Sequence, residues 1–380
     1  MIDKKIGVLG GGQLGKMLCQ DASKLGLRLH ILEKDDSFPA AAVCRDMTFG
    51  DFKSYDDVYN FGKQMDIVTV EIEAVNTEAL TKLESEGVLV FPQPSVLEVI
   101  KDKGTQKQFY ADHQLPTSPF ALYDNASEVR AAVADGTVTI PFVQKARRDG
   151  YDGQGVHLVR RESDLDGLLD VPCLLESLVD INKEIAVIVA RSAAGEISSF
   201  PAVEMEFHPT ANLVEFLFCP SVLPADVQSA AAQLAEQVAT KLGIVGLLAV
   251  ELFYTKDGTL LINEVAPRPH NSGHQTIEGN ITSQYEQHIR AITGMPLGDT
   301  ATTGASVMVN LLGAEGSTGA AHYENMEECL RISGAHYHIY GKSFSKPYRK
   351  MGHATVVSST LEDAIAKGKL IKEKLIINGK

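Results

Sequence analysis

The chain has 380 residues and a formal net charge of −14 at pH 7, which argues against nucleic acid as a partner because a general nucleic-acid grip needs a basic face. Hydrophobic residues make up 44% of the chain and charged residues 22%, a composition and length typical of a globular protein with two or three domains. The five cysteines have no Cys-x-x-Cys spacing and no apolar run approaches ~18 residues, so we expect reduced thiols, a cytoplasmic location, and neither a signal peptide nor a membrane span.

The N-terminal segment predicts a βαβ unit. A short apolar strand at 5–9 is followed by a glycine turn, by helical spacing at 16–25 and by a second strand at 27–33. This order implies a parallel sheet with a right-handed crossover. The glycines match Gly-x-Gly-x-x-Gly, and Glu33 lies where a ribose-binding acid is expected, so a nicotinamide oxidoreductase is one hypothesis. The same glycines could instead allow close helix packing or bind any phosphate.

Two further strands, at 67–70 and 88–91, extend the predicted sheet. Glu71 and Glu73 follow the first of them directly. Acids at the carboxyl end of a parallel strand face the crevice in which such sheets bind ligands. A solvated loop is the alternative interpretation of both acids.

From about residue 95 the pattern changes. A helix is predicted over 95–110, a linker at 116–119 and a strand at 140–145 that carries Lys145 near its end. The segment 146–156 then contains three glycines and several charged residues. Such a hairpin could fold over a polyphosphate, with its N–H groups on the oxygens and Lys145 as a point charge. A surface hairpin without a ligand is the alternative.

Paired carboxylates appear further along the chain, after predicted strands at 171–176 and 185–189 and an amphipathic helix at 225–242. Glu251 lies in an apolar strand, and Glu264 ends a second strand after a tight turn, so a hairpin would place the two side by side. A buried acid is costly unless a cation meets it. With the neutral oxygen of Asn263, the pair suits Mg²⁺ that holds nucleotide phosphates. Two carboxylates at the rim of an ordinary hairpin are the alternative.

These segments together resemble the ATP-grasp superfamily and, within it, the N5-carboxyaminoimidazole ribonucleotide synthetases. The resemblance covers essentially the whole chain. The glycine segment is weakly specific, whereas the stretch 268–274 with the distal lysine and arginine is highly specific. Gln154 stands where many relatives carry arginine, and 177–179 depart from the commoner residues after Glu176. The segments that carry the resemblance are 7–15, 69–73, 151–155, 263–274, Lys342 and 346–353.

The resemblance implies an α/β fold that is α+β in its central part. An N-terminal Rossmann-like open parallel sheet would span 1–98, and an ATP-grasp domain would span 99–295 with a lid at about 115–180. A small C-terminal domain at 296–380 would carry a sheet that packs back on the first. The implied activity is that of an ATP-dependent C–N ligase of de novo purine biosynthesis. It would carboxylate 5-aminoimidazole ribonucleotide with bicarbonate through carboxyphosphate, giving N5-carboxyaminoimidazole ribonucleotide, ADP and phosphate.

The resemblance also implies the residues of each subsite. ATP would be bound by Lys103, Lys145, Gly150, Gly153, Gly155, Glu176, Ser177, Leu178, Val179, Glu184, His208, Asn263 and Glu264. Mg²⁺, with Mn²⁺ as a substitute, would be held by Glu251 and Glu264. The catalytic groups would be Tyr151, Asp152, Arg268, His270, Asn271 and Ser272. The ribotide would be bound by Gly12, Gln13, Leu14, Glu71, Lys342 and Arg349.

Competing interpretations concern single segments and the whole function. His270 and His274 have helical metal-ligand spacing, but the neighbouring prolines argue against a helix and hence against zinc. For Lys342 and Arg349, a solvated basic loop competes with a clamp on the 5′-phosphate. A formate-dependent glycinamide ribonucleotide transformylase of the same fold and an NAD-dependent oxidoreductase are the alternative functions. We expect small-molecule substrates only, and a homodimer.

Overall fold

The computed structural model describes residues 3–148, 150, 155–211 and 213–380. Its N-terminal part alternates strands and helices. The elements are β1 (Ile6–Leu9), α1 (Gln13–Lys24), β2 (Leu29–Glu33), a 3₁₀ helix (Pro39–Ala42), β3 (Asp46–Phe49), α2 (Tyr55–Gly62), β4 (Ile67–Val70), α3 (Thr77–Ser85) and β5 (Leu89–Val90). The strands form a parallel sheet in the order β3-β2-β1-β4-β5, which confirms the predicted βαβ unit.

Both faces of this sheet are covered by helices, so β1 is buried at all four positions. Alternate side chains of a strand point to opposite faces. Ile6 and Val8 therefore pack with Met17 of α1, whereas Leu9 packs with Leu80 of α3 on the other side. The carboxyl ends of β1 and β4 meet at one edge, where the glycine turn and the acids after β4 lie side by side.

The next part forms a small antiparallel sheet. Its elements are α4 (Pro94–Ile100), α5 (Lys103–Asp112), β6 (Phe120–Tyr123), α6 (Ala126–Ala134), β7 (Phe142–Ala146), β8 (Val156–Val159), a 3₁₀ helix (Glu162–Gly167) and β9 (Cys173–Ser177), with the strand order β6-β9-β7-β8. The single helix predicted over 95–110 is wrong. Asp102 is extended, with φ −120° and ψ 109°, and its carboxylate accepts the N–H groups of Gly104 and Thr105 at 2.8 and 3.1 Å. It thereby begins a new helix.

The central part contributes most of a nine-stranded sheet. Its elements are β10 (Ile181–Arg191), β11 (Ile197–Ser199), β12 (Val203–Phe207), β13 (Val214–Cys219), α7 (Ala225–Leu242), β14 (Gly246–Thr255), β15 (Leu260–Ala266), a 3₁₀ helix (Asn271–Gly273), α8 (Thr276–Gly279) and α9 (Gln284–Thr293). Helix α7 spans the predicted residues and ends at Gly243, whose φ of +64° is left-handed. Its Leu234 and Val238 pack on Val187 and Val189 of β10.

The C-terminal part contributes strands to two sheets. Its elements are β16 (Ala305–Leu312), β17 (Gly319–Glu324), α10 (Met326–Cys329), β18 (Ala335–Ile339), β19 (Phe344–Ser345), β20 (Lys350–Ser358), α11 (Leu361–Lys374) and β21 (Ile376–Gly379). The central sheet continues into it in the order β15-β14-β10-β12-β13-β16-β20-β18, with β11 beside β10. Only β19, β17 and β21 form a small sheet of their own. The divisions at 98 and 295 stay predictions.

The observed fold is therefore mixed α/β, with a parallel sheet at the N-terminus and antiparallel sheets elsewhere, as predicted. The C-terminal part also contacts the N-terminal sheet, since Tyr340 lies in the same core as Ile6 and Val8. All five cysteines are buried free thiols, as expected. Within the described residues, the helices are too short or too polar to cross a bilayer.

Candidate active site

The predicted carboxylate hairpin is confirmed. Glu251 of β14 and Glu264 of β15 are register partners, and the pairing shifts by one residue immediately after Glu251. Glu264 forms an ion pair with Lys103, the first residue of α5, and their side chains are 43% and 22% exposed. The Asp102 cap is what turns the chain so that Lys103 meets the hairpin.

Three acids share this pocket, and they repel one another. Burial, followed by Glu264 and Glu184, raises the pKa of Glu251 well above its ordinary value. Burial likewise acts to raise the pKa of Glu264, but the charge of Lys103 overcomes it and lowers that pKa. Burial raises the pKa of Glu184 to about 7, although Lys145 opposes the change. Lys103 and Lys145 thus offset only part of the negative charge of the three acids, and a bound cation would offset more of it.

Lys145 lies near the end of β7, as the sequence predicts. Its Nζ is 2.9 Å from Oε2 of Glu176 and donates to Oδ1 of Asn263 at 3.0 Å. The other oxygen of Glu176 is 2.9 Å from Nζ of Lys107. The carboxylate of Glu176 is therefore occupied by two ammonium groups, so that any contact of Glu176 with an adenine edge has to come from its backbone.

The residues after Glu176 lead from β9 to β10 on the protein surface. The N–H of Ser177 donates to the carbonyl of Pro119 at 3.0 Å, and the carbonyl of Val179 accepts the N–H of Ile181 at 3.1 Å. Leu178 is 44% exposed. These contacts fix the course of the backbone, and nothing in them tests the predicted adenine contact.

The base of the basic glycine loop is tied to the start of α5. Arg147 donates from Nε and Nη2 to the two carboxylate oxygens of Asp102, at 2.8 and 2.9 Å. The N–H of Ala146 donates to the carbonyl of Gly155 at 2.7 Å, and Gly150 is half-buried. The loop base is thus held beside Lys103. The predicted site residues Tyr151, Asp152 and Gly153 lie outside the described residues.

The stretch after β15 joins the hairpin to the N-terminal sheet. Nη2 of Arg268 is 2.8 Å from Oε1 of Glu73, and Nε2 of His270 is 3.8 Å from Oε1 of Glu251. Nδ1 of His270 lies 2.9 Å from Oγ of Ser272 and accepts its N–H at 3.3 Å. Burial, then the positive charge of Arg268, lowers the pKa of His270 to about 3. The imidazole is therefore neutral, with its Nε2 directed toward Glu251.

Two neighbours in this stretch are held by the core. The amides of Asn271 and Asn310 exchange two hydrogen bonds of 2.9 Å each. The ring of His274 stacks on that of His353 with centroids 4.5 Å apart, and its Nδ1 is 3.0 Å from the hydroxyl of Tyr285. His274 is thus a packed core residue.

Glu71 lies inside the glycine turn. Its Oε1 and Oε2 accept the N–H groups of Gly12 and Gly15 at 3.0 and 2.9 Å. A Cβ at Gly10, where φ is +102°, would come 2.5 Å from Cγ of Glu71. The glycines therefore allow the approach of a carboxylate from their own chain. Gln13 and the buried Leu14 begin α1 directly behind it.

The oxidoreductase hypothesis fails at the same turn. Oε2 of Glu33, the acid assigned to a ribose, accepts the N–H of Gly11 at 2.9 Å, and Glu33 is buried. The backbone donors that would hold a pyrophosphate are therefore engaged by two internal carboxylates.

The C-terminal basic residues reach the same region. Nζ of Lys342 donates to the carbonyl of Lys350 at 2.8 Å, and Nη1 of Arg349 donates to that of Phe344 at 2.6 Å. The charge of Lys350 contributes to the lowered pKa of His270. Lys350 is thus close enough to the hairpin for its charge to act on Glu251 and His270, and Lys342 contacts the backbone of Lys350.

His208, which was assigned to ATP, lies in the turn between β12 and β13. Its Nδ1 accepts the N–H of Ala211 at 3.2 Å, and its ring lies edge-on to Tyr348 with centroids 5.4 Å apart. The ring therefore contacts the residue that precedes Arg349. Its proposed contact with ATP stays a prediction.

Sequence reasoning left several residues of this neighbourhood out of the site. Lys107 lies four positions after Lys103 on α5, a spacing that places both on one helix face. Asn310 interrupts an apolar strand, which is a signal of a buried polar contact. The residues that were not assigned a role are Lys107, Asn310, Lys350 and Gln284, whose Oε1 accepts the N–H of His270 at 2.8 Å.

Family models match the chain in three consecutive stretches. They are the ribonucleotide synthetase preATP-grasp domain over 3–101, the ATP-grasp domain over 108–285 and the phosphoribosylaminoimidazole carboxylase C-terminal domain over 306–367. The N5-carboxyaminoimidazole ribonucleotide synthase of Bacillus subtilis is 37% identical over 95% of this chain and 93% of its own length. The chain belongs to the N5-carboxyaminoimidazole ribonucleotide synthase family.

Other members of the synthase family and a longer relative show the same likeness. The chloroplastic phosphoribosylaminoimidazole carboxylase of Vigna aconitifolia is 38% identical over 94% of this chain, which spans 64% of that protein. The Thermotoga maritima synthetase structure has 39% identity and a TM-score of 0.90, covering 99% of this chain and 100% of that one. The Aspergillus clavatus synthase in complex with ADP and 5-aminoimidazole ribonucleotide has 29% identity and a TM-score of 0.89, covering 98% of each chain.

Proposed function

We propose that this chain is an ATP-dependent ligase that carboxylates 5-aminoimidazole ribonucleotide with bicarbonate. The observation that carries the proposal is the meeting of Lys103, Glu264, Glu251 and His270 in one pocket. This pocket joins groups suited to nucleotide phosphates with groups suited to a small oxyanion. The family, with a member whose structure holds ADP and 5-aminoimidazole ribonucleotide, supports the same substrates.

ATP would be held between the small antiparallel sheet and the carboxylate hairpin. Lys103 and Lys145 would contact its phosphates, and Gly150, Gly153 and Gly155 would let backbone N–H groups approach the oxygens. The backbone of 176–179 would meet the adenine and Glu184 the ribose hydroxyls.

Magnesium fits the donor set of the hairpin. Within the described part of the chain, no cluster of three or more His, Cys, Asp or Glu side chains could hold a metal by itself. Glu251 and Glu264, with Asn263 beside them, would hold the ion together with phosphate oxygens, a pattern typical of Mg²⁺ and open to Mn²⁺. When bound, the ion neutralises charge on the phosphates during transfer.

The oxyanion side of the pocket would bind bicarbonate. Arg268, oriented by Glu73, would face its negative charge, and His270, Asn271 and Ser272 would supply neutral polar groups. A bicarbonate oxygen attacks the γ-phosphorus of ATP, which gives carboxyphosphate and releases ADP. Carboxyphosphate then breaks into CO₂ and phosphate, and the amine of the ribotide captures the CO₂ and loses a proton. Tyr151 and Asp152, from the glycine loop, stay proposed members of this site.

The ribotide would occupy the side of the cleft between the glycine turn and the C-terminal part. Gly12, Gln13, Leu14 and Glu71 would line it near the amine and ribose. Lys342 and Arg349 would hold the 5′-phosphate, which matches the geometry of a guanidinium fork. A homodimer and a cytoplasmic location remain predictions.

The test is ADP release measured with ATP, bicarbonate and 5-aminoimidazole ribonucleotide, each omitted in turn. We expect full turnover only with all three, and N5-carboxyaminoimidazole ribonucleotide as the product. Formate with glycinamide ribonucleotide serves as the comparison for the transformylase alternative. Turnover with that pair, or bicarbonate-independent turnover, would overturn the proposal.

A further inference from the structure

The carboxylate of Glu176 lies between two ammonium groups in the protein interior. Oε2 is 2.9 Å from Nζ of Lys145, and Oε1 is 2.9 Å from Nζ of Lys107. The side chains of Glu176 and Lys107 are 4% and 3% exposed, whereas that of Lys145 is 14% exposed. Lys145 alone therefore faces the cleft.

Lys107 also contacts a hydroxyl pair and a backbone carbonyl of the protein. Its Nζ donates to Oγ1 of Thr117, to Oγ of Ser118 at 3.3 Å and to the carbonyl of Ile262 at 3.4 Å, besides its ion pair. Burial lowers the pKa of Lys107, and the charge of Glu176 opposes this change. With its donors engaged and almost no exposure, Lys107 is placed to contact Glu176 and not a nucleotide.

The carboxylate of Glu176 is thus the common ion-pair partner of Lys107 and Lys145. A buried carboxylate needs a counter-ion, because an unpaired charge in the interior is expensive. Without Lys107, Glu176 would depend on its contact with Lys145 and on the more distant charge of Lys103, and Lys145 would be drawn away from Asn263 and the cleft. With Lys107 in place, Oε1 of Glu176 has an ammonium group 2.9 Å away that does not depend on Lys145.

We propose that Lys107 is a positioning residue for the nucleotide phosphates: by holding one oxygen of Glu176, it leaves Lys145 available to the phosphate groups. This inference rests on the proposed function, since it assigns the phosphates of ATP to Lys145. Lys103 and Lys107 lie one turn apart on α5. On this proposal Lys103 contacts the phosphates directly, and Lys107 acts on them indirectly through Glu176 and Lys145.

The first test is the affinity for ADP of the purified Lys107→Met protein, measured by titration calorimetry. We expect a loss of roughly tenfold or more, the usual effect of disturbing a charge-assisted contact, with the KM for the ribotide unchanged. Gln108→Met, at an exposed position of the same helix, is the matched control and should bind ADP like the wild type.

A double-mutant cycle separates this role from simple packing. In the Glu176→Gln background no carboxylate competes for Lys145, so Lys107→Met should change the ADP affinity by less than about threefold. An equal loss in both backgrounds, or no loss in either, would overturn the inference. If Lys107→Met caused no loss in either background but the wild type bound ADP, the inference on Lys107 would fail and the proposed function would stand. If the wild type bound neither ADP nor ATP, the proposed function would be refuted.

A variant that keeps the charge guards against failure to fold. If Lys107→Met does not give a folded protein, Lys107→Arg retains a cation beside Glu176 and should bind ADP within about threefold of the wild type. A folded Lys107→Arg protein that loses tenfold or more would contradict the inference, because the positive charge would then not be what matters.

Discussion

At the scale of single residues, Glu264 contacts a lysine in the structure and, on our proposal, Mg²⁺ as well. Glu264→Gln should lower kcat by about a hundredfold or more, because it removes one of two anionic metal ligands while the fold stays intact. The measurement is steady-state turnover at saturating Mg-ATP, with circular dichroism as the fold check. Asp257→Asn, in the exposed turn of the same hairpin, is the control and should retain activity. Turnover of Glu264→Gln like that of the wild type would mean that the hairpin acids are not metal ligands.

Glu184 should make the nucleotide-free protein less stable as the pH rises. Burial raises its pKa from 4.5 to about 7, so between these values the unfolded chain loses its proton while the native state keeps it. Rising pH therefore favours the unfolded state across this window. Compared with Glu184→Gln, the wild type should lose about 1–3 kcal/mol of unfolding free energy between pH 4.5 and 8.

Urea denaturation of both proteins at several pH values measures this difference. Glu162→Gln, at an exposed position, is the control and should follow the wild type at every pH. A constant difference between the wild type and Glu184→Gln would show that the acid is already ionised in the native state.

Arg349 is expected to bind the ribotide and not ATP. Arg349→Ala should raise the KM for the ribotide roughly ten- to hundredfold, since a bidentate charged contact is lost, while the KM for ATP changes little. Arg349→Lys should rescue only in part, because a point charge cannot reproduce the fork. Both constants are measured in one steady-state series, and a parallel rise of the two would contradict the clamp.

At the scale of elements, Asp102 links a helix to a loop. Its carboxylate caps α5 and also holds Arg147 with two hydrogen bonds. Asp102→Ala should therefore cost about 2–4 kcal/mol of unfolding free energy, more than loss of a cap alone. Asn125 caps α6, and its side chain accepts one backbone N–H. Asn125→Ala should therefore lower the free energy of unfolding by only about 1 kcal/mol. If denaturant titrations gave the same loss of unfolding free energy for Asp102→Ala and Asn125→Ala, the ion pair of Asp102 and Arg147 would contribute nothing to stability.

The same element shows where local sequence patterns suffice and where they do not. The carboxylate hairpin was predictable because two apolar strands and the tight turn between them are consecutive in sequence. Helix α7 was predictable because its amphipathic spacing continues over many consecutive residues. The break at Asp102 was not. A continuous helical spacing runs through 95–110, and the break is stabilised by Arg147, which is distant in sequence. The ion pair of Lys107 and Glu176 escaped prediction for the same reason.

At the scale of the whole molecule, strand pairing between distant parts was beyond sequence reasoning. An apolar run such as 305–312 is typical of a buried strand, but it does not name the neighbouring strand. In the structure β16 pairs with β13, with Phe216 opposite Val309, so the C-terminal part extends the central sheet. This pairing carries β20, and with it Lys350, toward the hairpin acids. The position of Lys350 in the site therefore depends on how the strands pair, and not only on local sequence motifs.

The N-terminal and C-terminal parts of the molecule meet at α1. Nζ of Lys16 donates to the carbonyls of Ile339 and Tyr340 at 2.8 and 3.4 Å, across more than three hundred residues. The first turn of α1 carries Gln13, and Lys342 follows Tyr340 closely, so this contact fixes two proposed sides of the ribotide site relative to each other. It does not touch the hairpin or either of the lysines assigned to ATP.

Lys16→Met should therefore raise the KM for the ribotide by about tenfold and leave the KM for ATP within about twofold. Loss of two charge-assisted hydrogen bonds at a half-buried site should also cost about 1–2 kcal/mol of unfolding free energy. Lys63→Met, at the exposed position that follows α2, whose ammonium donates to Asn60 and lies over the ring of Tyr59, is the control and should leave both constants unchanged. If Lys16→Met lowered stability without changing the ribotide KM, α1 would hold the C-terminal part for packing alone. The ribotide would then have to bind where the relative position of these two parts does not matter.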